Sequence, residues 1–168
     1  MGVRPSGYGI ATTQQTLFTA LAHYSTAPQE DLLELLRRDI LNIALGNSDN
    51  HPRNQSVLKR PDGSVRLSPL YDFAPMILDP QGIPRICRWG VLEPNAREVD
   101  WTGVGRFLQT LGVDVAACAA LFDDLAARLR QLPEAMVAAG CGADLAERLR
   151  RPQQSLREGL LRGAEAVG

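Results

Sequence analysis

The chain has 168 residues, of which 45% are hydrophobic and 22% are charged, and its formal net charge is -1. This composition fits one globular domain with a single core and excludes a disordered chain. The balanced charge also excludes the broad basic field that nucleic-acid or anionic-membrane binding requires.

The sequence shows no leader peptide and no membrane-spanning run. Its first ten residues lack a charged segment followed by an apolar core, and no apolar run approaches the roughly 20 residues that cross a bilayer. The three cysteines, Cys87, Cys118 and Cys141, are odd in number and lack metal-site spacing, which predicts reduced, buried thiols. We therefore expect a soluble, cytoplasmic protein.

Apolar periodicity predicts a first helix over residues 13–24. Four residues fall on one face of that helix: Leu17, Phe18, Leu21 and Tyr24.

A second helix is predicted over residues 28–45. Thr26 and Gln29 have the spacing of a capping box, Pro28 is tolerated in the first turn, and Gly46 can end the helix. Its apolar residues recur at intervals of three and four and form one buried face. The charged residues expected off that face are Arg37, Arg38 and Asp39.

The middle of the chain predicts a hairpin followed by an ordered loop. Residues 55–59 and 64–67 flank Arg60-Pro61-Asp62-Gly63, which predicts two antiparallel strands around an Asp-Gly turn. From residue 73 to 94, closely spaced proline and glycine residues exclude a long helix and allow at most a short strand near residues 83–89.

The last third predicts four helices, at residues 101–111, 114–131, 133–139 and about 143–163. Asp114 would cap the second of these. The apolar stripe predicted to be its core face contains Val115, Cys118, Ala119, Phe122, Leu125, Ala126 and Leu129. The fold class predicted is therefore mainly α with one small β-hairpin.

Three polar side chains stand apart from this core pattern: Asp49, Asn54 and Asp72. The first two lie five residues apart in the loop GNSDNHPRN, residues 46–54, and the hairpin can bring Asp72 beside them. Phosphoryl transfer from a magnesium nucleotide needs such a set, because one carboxylate accepts the proton of the attacking hydroxyl while amide and carboxylate oxygens bind Mg2+. Protein kinases use the same Asp-to-Asn spacing and then an Asp before Phe, although Ala74 replaces the glycine of their DFG motif here.

The same residues also have a purely structural interpretation. Loops are rich in Asp and Asn, and on this interpretation Asp49 and Asn50 form a turn, Asn54 ends it and Asp72 caps the next segment. Spacing alone leaves both interpretations open. A histidine metal site is not expected, because the only other histidine besides His51 lies on a separate helix.

The runs LLRRDILNIALGNSDNHPRNQSVL and VRLSPLYDFAPM resemble the C-terminal domain of the HipA-type serine/threonine kinases of bacterial toxin-antitoxin systems. Those proteins carry an apolar helix, Gly-Asn-Thr-Asp-x-His-x-x-Asn, a short hairpin and then Leu-x-Pro-x-Tyr-Asp. The resemblance is close over residues 32–76. It implies a helical kinase C-lobe whose small hairpin carries the active-site loop.

Carried over position by position, the resemblance makes Asp49 the catalytic base and makes Asn54 and Asp72 the Mg2+ ligands that also bind the cofactor. His51 matches the family's histidine and would hold the catalytic loop. Arg53 stands where the family often has lysine, and it either faces the ATP phosphates or is a solvated loop arginine.

The family holds the ATP phosphates with a loop and a strand lysine of an N-terminal lobe, and neither is recognisable in this chain. Lys59, the only lysine, lies in the predicted hairpin, and Gly7 and Gly9 are too few for a phosphate loop. The resemblance therefore implies one catalytic lobe over residues 1–168, inactive without its nucleotide-binding lobe and dependent on Mg2+ and ATP when that lobe is supplied.

Two other functions remain open at this point. The chain is alternatively a non-catalytic remnant or half of a split kinase that binds a partner, and a small-molecule phosphotransferase of the aminoglycoside-kinase type also uses an Asp and Asn at this spacing. The partners implied by the resemblance are a HipB-like antitoxin or a separate N-terminal lobe, a protein substrate such as an aminoacyl-tRNA synthetase, and a second copy in a homodimer. No membrane or nucleic-acid partner is expected.

Overall fold

The computed structural model describes residues 5–6, 9–10, 12–94 and 98–168, and Gly7 lies outside these ranges. The described helices are α1 (Gln14–Tyr24), α2 (Pro28–Ala44), α3 (Trp101–Thr110), α4 (Val115–Leu129), α5 (Leu132–Ala138) and α6 (Ala143–Val167). The strands are β1 (Pro5–Ser6), β2 (Gly9–Ile10), β3 (Val57–Lys59) and β4 (Val65–Leu67). The prediction of a mainly α fold is confirmed.

Each strand pair is antiparallel, β1 with β2 and β3 with β4. The β3–β4 hairpin lies where the Asp-Gly turn predicts it, with Val57 opposite Leu67. The Asp62 carboxylate accepts a hydrogen bond from the Ser64 backbone N–H and so stabilises the turn. The two-residue pairing of β1 and β2 was not predicted from the sequence.

The core lies where α2, α4 and α6 meet, with α1 and α3 at its sides. Phe18, Leu36, Phe122 and Leu160 are fully buried there. Helix α6 approaches α3 closely because it presents glycine at the contact. A Cβ added at Gly163 would lie 3.0 Å from the Trp101 Cβ.

The predicted capping box at the start of α2 is wrong. Ala27 occupies the N-cap and makes no side-chain capping bond, whereas Thr26 binds the hairpin. The Thr26 hydroxyl donates to the Val65 carbonyl at 3.0 Å and accepts from the Val65 N–H at 3.2 Å. Gln29 instead accepts a bond from the backbone N–H of Asp114. Both side chains bond to distant parts of the chain instead of the start of α2, and the start signals that remain are the early proline and the acidic residues of the first turn.

Four predictions about burial are also wrong. Arg38 and Asp39, expected off the apolar face of α2, are buried, and Asp39 is covered by Arg85 and Trp89, which bond to its carboxylate. Val115 is 37% exposed, since it is the first residue of α4 and lies beyond the packed part of the stripe. Cys87 and Cys118 are buried as predicted, but Cys141 is exposed between α5 and α6.

Residues 73–94 form an irregular ordered segment, as their proline and glycine content predicts. It contains short 3-10 turns at Met76–Leu78 and Gly90–Leu92 and an isolated bridge between Arg88 and Thr13. Among the described residues, none of the helices combines the length and the apolar character that crossing a membrane would require.

Candidate functional site

The candidate site begins at Gly46, directly after α2. Gly46 has a φ of +71°, and a Cβ at this position would lie only 2.7 Å from the Ile77 Cγ2 and 3.2 Å from a Leu149 methyl carbon. Its carbonyl accepts a hydrogen bond of 2.8 Å from the Ile77 N–H. Glycine is therefore required both by the backbone conformation and by the close approach of the segment that follows Asp72.

Hydrogen bonds within the loop link Asn54, a predicted Mg2+ ligand, to Asp49 and His51, the two predicted catalytic residues. The Asn54 side-chain Nδ2 donates to the Asp49 carbonyl at 3.1 Å, and a 3-10 turn over Pro52–Asn54 brings the Asn54 N–H within 3.0 Å of the His51 carbonyl. Asn54 is 8% exposed, so its side chain is held by the protein and not by solvent. Because Nδ2 is used by the protein, Oδ1 is the Asn54 atom suited to a cation.

The Asp49 carboxylate remains accessible. Its side chain is 32% exposed, and its Oδ1 lies 3.8 Å from the His51 Nε2. This distance is too long for a direct hydrogen bond but short enough for a favourable contact if His51 is charged. The structure thus brings Asp49, His51 and Asn54 together, as the sequence predicts.

The segment carrying Asp72 runs along the loop and is bonded to it at both ends. The Ile77 N–H bonds to Gly46 at one end, and the Tyr71 hydroxyl donates to the Arg53 carbonyl at 2.7 Å at the other. The second bond joins Tyr71, the residue before Asp72, to Arg53, the residue before Asn54. The Arg53 side chain is exposed on the surface of the loop.

Asp72 is the one residue other than glycine, among those described, with a positive φ, which is +54°. Residues other than glycine rarely adopt this left-handed backbone conformation, although Asp and Asn tolerate it better than most. Asp72 is exposed, so core packing does not explain the conformation. Strained backbone of this kind concentrates at functional sites.

Three buried polar atoms of the loop have no hydrogen-bond partner within the described part of the chain: Asn47 Oδ1, Ser48 Oγ and His51 Nδ1. Leaving a buried polar atom unpaired costs about 1–3 kcal/mol, so such atoms favour the binding of water or a ligand that pairs with them. The loop therefore has polar atoms available to pair with water or a ligand.

The oxygens near the loop suit Mg2+ better than zinc. Asn54 and Asp72 offer one amide and one carboxylate, and Mg2+ commonly takes one or two carboxylates together with substrate phosphates and water. No cluster of three or more histidine, cysteine, aspartate or glutamate side chains arranged to hold a metal occurs in the described ranges. A magnesium ion shared with a nucleotide fits this donor set.

A buried ionic cluster behind the loop was missed by sequence reasoning. The Arg85 guanidinium pairs with Asp39 at 2.8 Å and with Glu93 at 2.8 Å, and all three side chains are buried. Burial alone would lower the pKa of Arg85, but the charges of Asp39 and Glu93 outweigh it and raise the pKa above its ordinary value. Asp39 and Glu93 lie 46 and 8 residues from Arg85, so no local sequence motif signals the cluster.

Fold and loop together define a mainly α domain that presents an Asp and an Asn, five residues apart, in one loop, with a second Asp on a segment that is bonded to that loop. The sequence model of the HipA-like C-terminal domain matches residues 1–135, and the chain belongs to that family. Helix α6 lies beyond the matched residues.

A relative named putative kinase Y4mE, from Sinorhizobium fredii, is 31% identical over 101 residues. That match covers 60% of this chain and 24% of the relative, so the chain corresponds to about a quarter of the relative's length. No solved structure matches the chain.

Proposed function

We propose that the chain is the catalytic C-terminal lobe of an ATP-dependent protein serine/threonine kinase of the HipA toxin type. The observation that carries the proposal is the pair of hydrogen bonds that hold residues 71–77 along the loop of residues 46–54. Because these bonds join residues on either side of Asp72 to the two ends of the loop, they support the proposal that Asp72 acts together with Asp49 and Asn54.

In the proposed reaction the Asp49 carboxylate accepts the proton of the attacking serine or threonine hydroxyl and orients its oxygen. Its partial exposure lets a substrate reach it, and His51 holds it at the loop surface. The Asn54 Oδ1 and the Asp72 carboxylate hold Mg2+, while Arg53 faces the ATP phosphates. Mg2+, when bound, neutralises negative charge on the transferred phosphoryl group.

The ATP phosphates also need contacts from a nucleotide-binding lobe, which we assign to the remainder of a longer kinase or to a separate chain. The relative that shares this region is about four times as long as the matched segment. We propose a protein substrate such as an aminoacyl-tRNA synthetase and control by a HipB-like antitoxin. The cysteines are free thiols, which agrees with a cytoplasmic location.

The test is transfer of the γ-phosphate of Mg-ATP to protein by this lobe joined to a nucleotide-binding lobe. Asp49→Asn should abolish transfer yet fold normally, because Asn54 bonds to the Asp49 backbone carbonyl and not to its carboxylate. Asp123→Asn, which changes an exposed carboxylate on α4, is the matched control and should retain full activity.

Undiminished transfer by Asp49→Asn would rule out the assigned base. Calorimetry provides a second check, since the chain alone should bind Mg-ATP weakly. Tight binding by the chain alone would contradict the assignment of the phosphate contacts to another lobe.

A non-catalytic, partner-binding module is the second candidate, and an apolar groove of about 240 Å3 between α1 and the β3–β4 hairpin favours it. Its lining includes Leu17 and Leu67 together with the largely exposed Tyr24 and Val57. Exposed apolar surface of this kind marks protein-protein contacts.

Light scattering tests the second candidate. If the groove mediates homodimer formation, Val57→Lys should convert a dimer to a monomer, whereas Val91→Lys, at a residue exposed elsewhere, should not. A chain that stays monomeric at high concentration would argue against a homodimer through this groove.

A further inference from the structure

We propose that Asn50 is a positioning residue that fixes the direction of the Asp49 carboxylate by bonding to the backbone of Cys87. The inference rests on the proposed function, since it assigns Asn50 a role in presenting the catalytic base. Position 50 is one of three open positions of the Gly-Asn-Thr-Asp-x-His-x-x-Asn pattern, so the family resemblance gives it no role.

The Asn50 side chain pairs with both backbone polar groups of one residue. Its Nδ2 donates to the Cys87 carbonyl at 2.8 Å, and its Oδ1 accepts from the Cys87 N–H at 3.3 Å. Asn50 is 4% exposed and Cys87 is fully buried, so solvent does not compete for these bonds. Two bonds at opposite ends of one planar amide fix both the position and the rotation of the side chain.

Cys87 is itself held in a rigid frame by the residues on either side of it. Arg85 is fixed by its ion pairs with Asp39 and Glu93. The Trp89 ring N–H donates to the Asp39 carboxylate at 2.8 Å, and the Trp89 backbone N–H donates to Glu93 at 2.9 Å. Asp39 belongs to α2, so the frame is attached to the same helix that ends at the catalytic loop.

The frame thereby restricts the orientation of Asp49. Asn50 and Asp49 share one planar peptide group, so fixing Asn50 leaves Asp49 only its own backbone and side-chain rotations. With the Asn50 side chain fixed in the interior, the Asp49 side chain is left a third exposed at the surface. Without Asn50, hydrogen bonds would join the loop to other described elements at Gly46, Asn47 and Arg53, and Asp49 would keep its bond from Asn54 within the loop.

Amide hydrogen exchange, followed by NMR on this chain, tests the role of Asn50 directly. Asn50→Ala leaves the Cys87 N–H buried without its side-chain partner and leaves the Cys87 carbonyl only a long bond of 3.4 Å from the Gln14 side chain. Residues 48–54 should then exchange at least about tenfold faster relative to the amides of α4. Asn50→Asp keeps an acceptor for the Cys87 N–H but loses the donor, and it should give a smaller increase, so the test remains available if the alanine variant folds poorly.

Gln15→Ala is the matched control, because the Gln15 side chain donates to the Trp89 carbonyl at 2.6 Å and so binds the same frame without touching the loop. It should leave the ratio of loop to α4 exchange unchanged. The inference is overturned if Asn50→Ala leaves that ratio unchanged, or if Gln15→Ala raises it as much.

Binding of Mn2+, used as a paramagnetic substitute for Mg2+, separates this inference from the proposed function. Mn2+ should broaden the loop signals of the wild-type chain, and Asn50→Ala should weaken that binding about tenfold at temperatures where the variant is fully folded. A merely structural role would leave the affinity of the folded state unchanged, and that result would count against positioning. If the wild-type loop binds no Mn2+ while Asn50→Ala still accelerates loop exchange, the kinase proposal fails and the fixing of the loop by Asn50 stands.

Discussion

Gly46→Ala should be unusually costly, because two separate penalties fall on the same residue. A residue other than glycine at a φ of +71° costs about 1–2 kcal/mol. The new Cβ would also lie 2.7 Å from the Ile77 Cγ2 and 3.2 Å from a Leu149 methyl carbon, and overpacking of this kind costs about 1–3 kcal/mol. The free energy of unfolding should therefore fall by about 2–5 kcal/mol.

Equilibrium urea unfolding measures this loss, with Gly140→Ala as the control. Gly140 also has a positive φ, of +89°, but nothing lies within 4 Å of its added Cβ. It should show only the backbone penalty of about 1–2 kcal/mol.

Ile77→Ala should partly rescue Gly46→Ala, since it removes the methyl group that the new Cβ meets. The double variant should then lose less stability than the sum of the single variants. The reasoning is refuted if Gly46→Ala costs no more than Gly140→Ala, or if the two substitutions are additive.

Three further predictions concern the buried frame and the left-handed aspartate. Arg85→Met leaves two buried carboxylates without their cation and should lower the free energy of unfolding by about 3–5 kcal/mol, whereas Arg128→Met, at an exposed ion pair, should change urea unfolding little. Burial and the neighbouring Asp39 charge raise the pKa of Cys87 from 9.0 to about 12. The Cys87 thiol therefore ionises at lower pH in the unfolded chain than in the folded one. Its contribution to the free energy of unfolding should be constant below about pH 8 and fall from pH 9 toward 12, so the fall should be less steep in Cys87→Ala. Asp72→Gly should leave thermal stability within about 1 kcal/mol of wild type, because glycine accepts the positive φ, yet abolish phosphate transfer; retained transfer would contradict the metal-ligand assignment.

The helices and the hairpin could be predicted because their signals are local. Asp114 caps α4 through a bond to the Ala117 N–H, as its position before the apolar stripe predicts. The capping box of Thr26 failed because the hairpin, 39 residues away, offers that side chain a competing set of bonds. A local capping motif predicts a helix start only when no distant backbone group forms hydrogen bonds with the capping side chain.

The residues of the candidate loop could be predicted from the sequence, but the buried contacts that support the loop could not. Asp49, His51 and Asn54 lie in one loop, so spacing alone could group them. Asp39 was assigned to the solvent side of α2 because periodicity counts apolar residues and cannot foresee an arginine 46 residues later that pairs with a buried carboxylate. Asn50 was interpreted only as a turn residue for the same reason, since its partner lies 37 residues away.

The most direct test of the proposed site is to map Mn2+ binding on the isotope-labelled chain by NMR. The signals of residues 49–54 and 71–73 should broaden together at the lowest Mn2+ concentrations, and Asp72→Asn should abolish that broadening while Asp123→Asn preserves it. Broadening centred on other exposed carboxylates, such as Asp123 and Asp124 of α4, or broadening of the loop that survives Asp72→Asn, would contradict a magnesium site shared by Asn54 and Asp72.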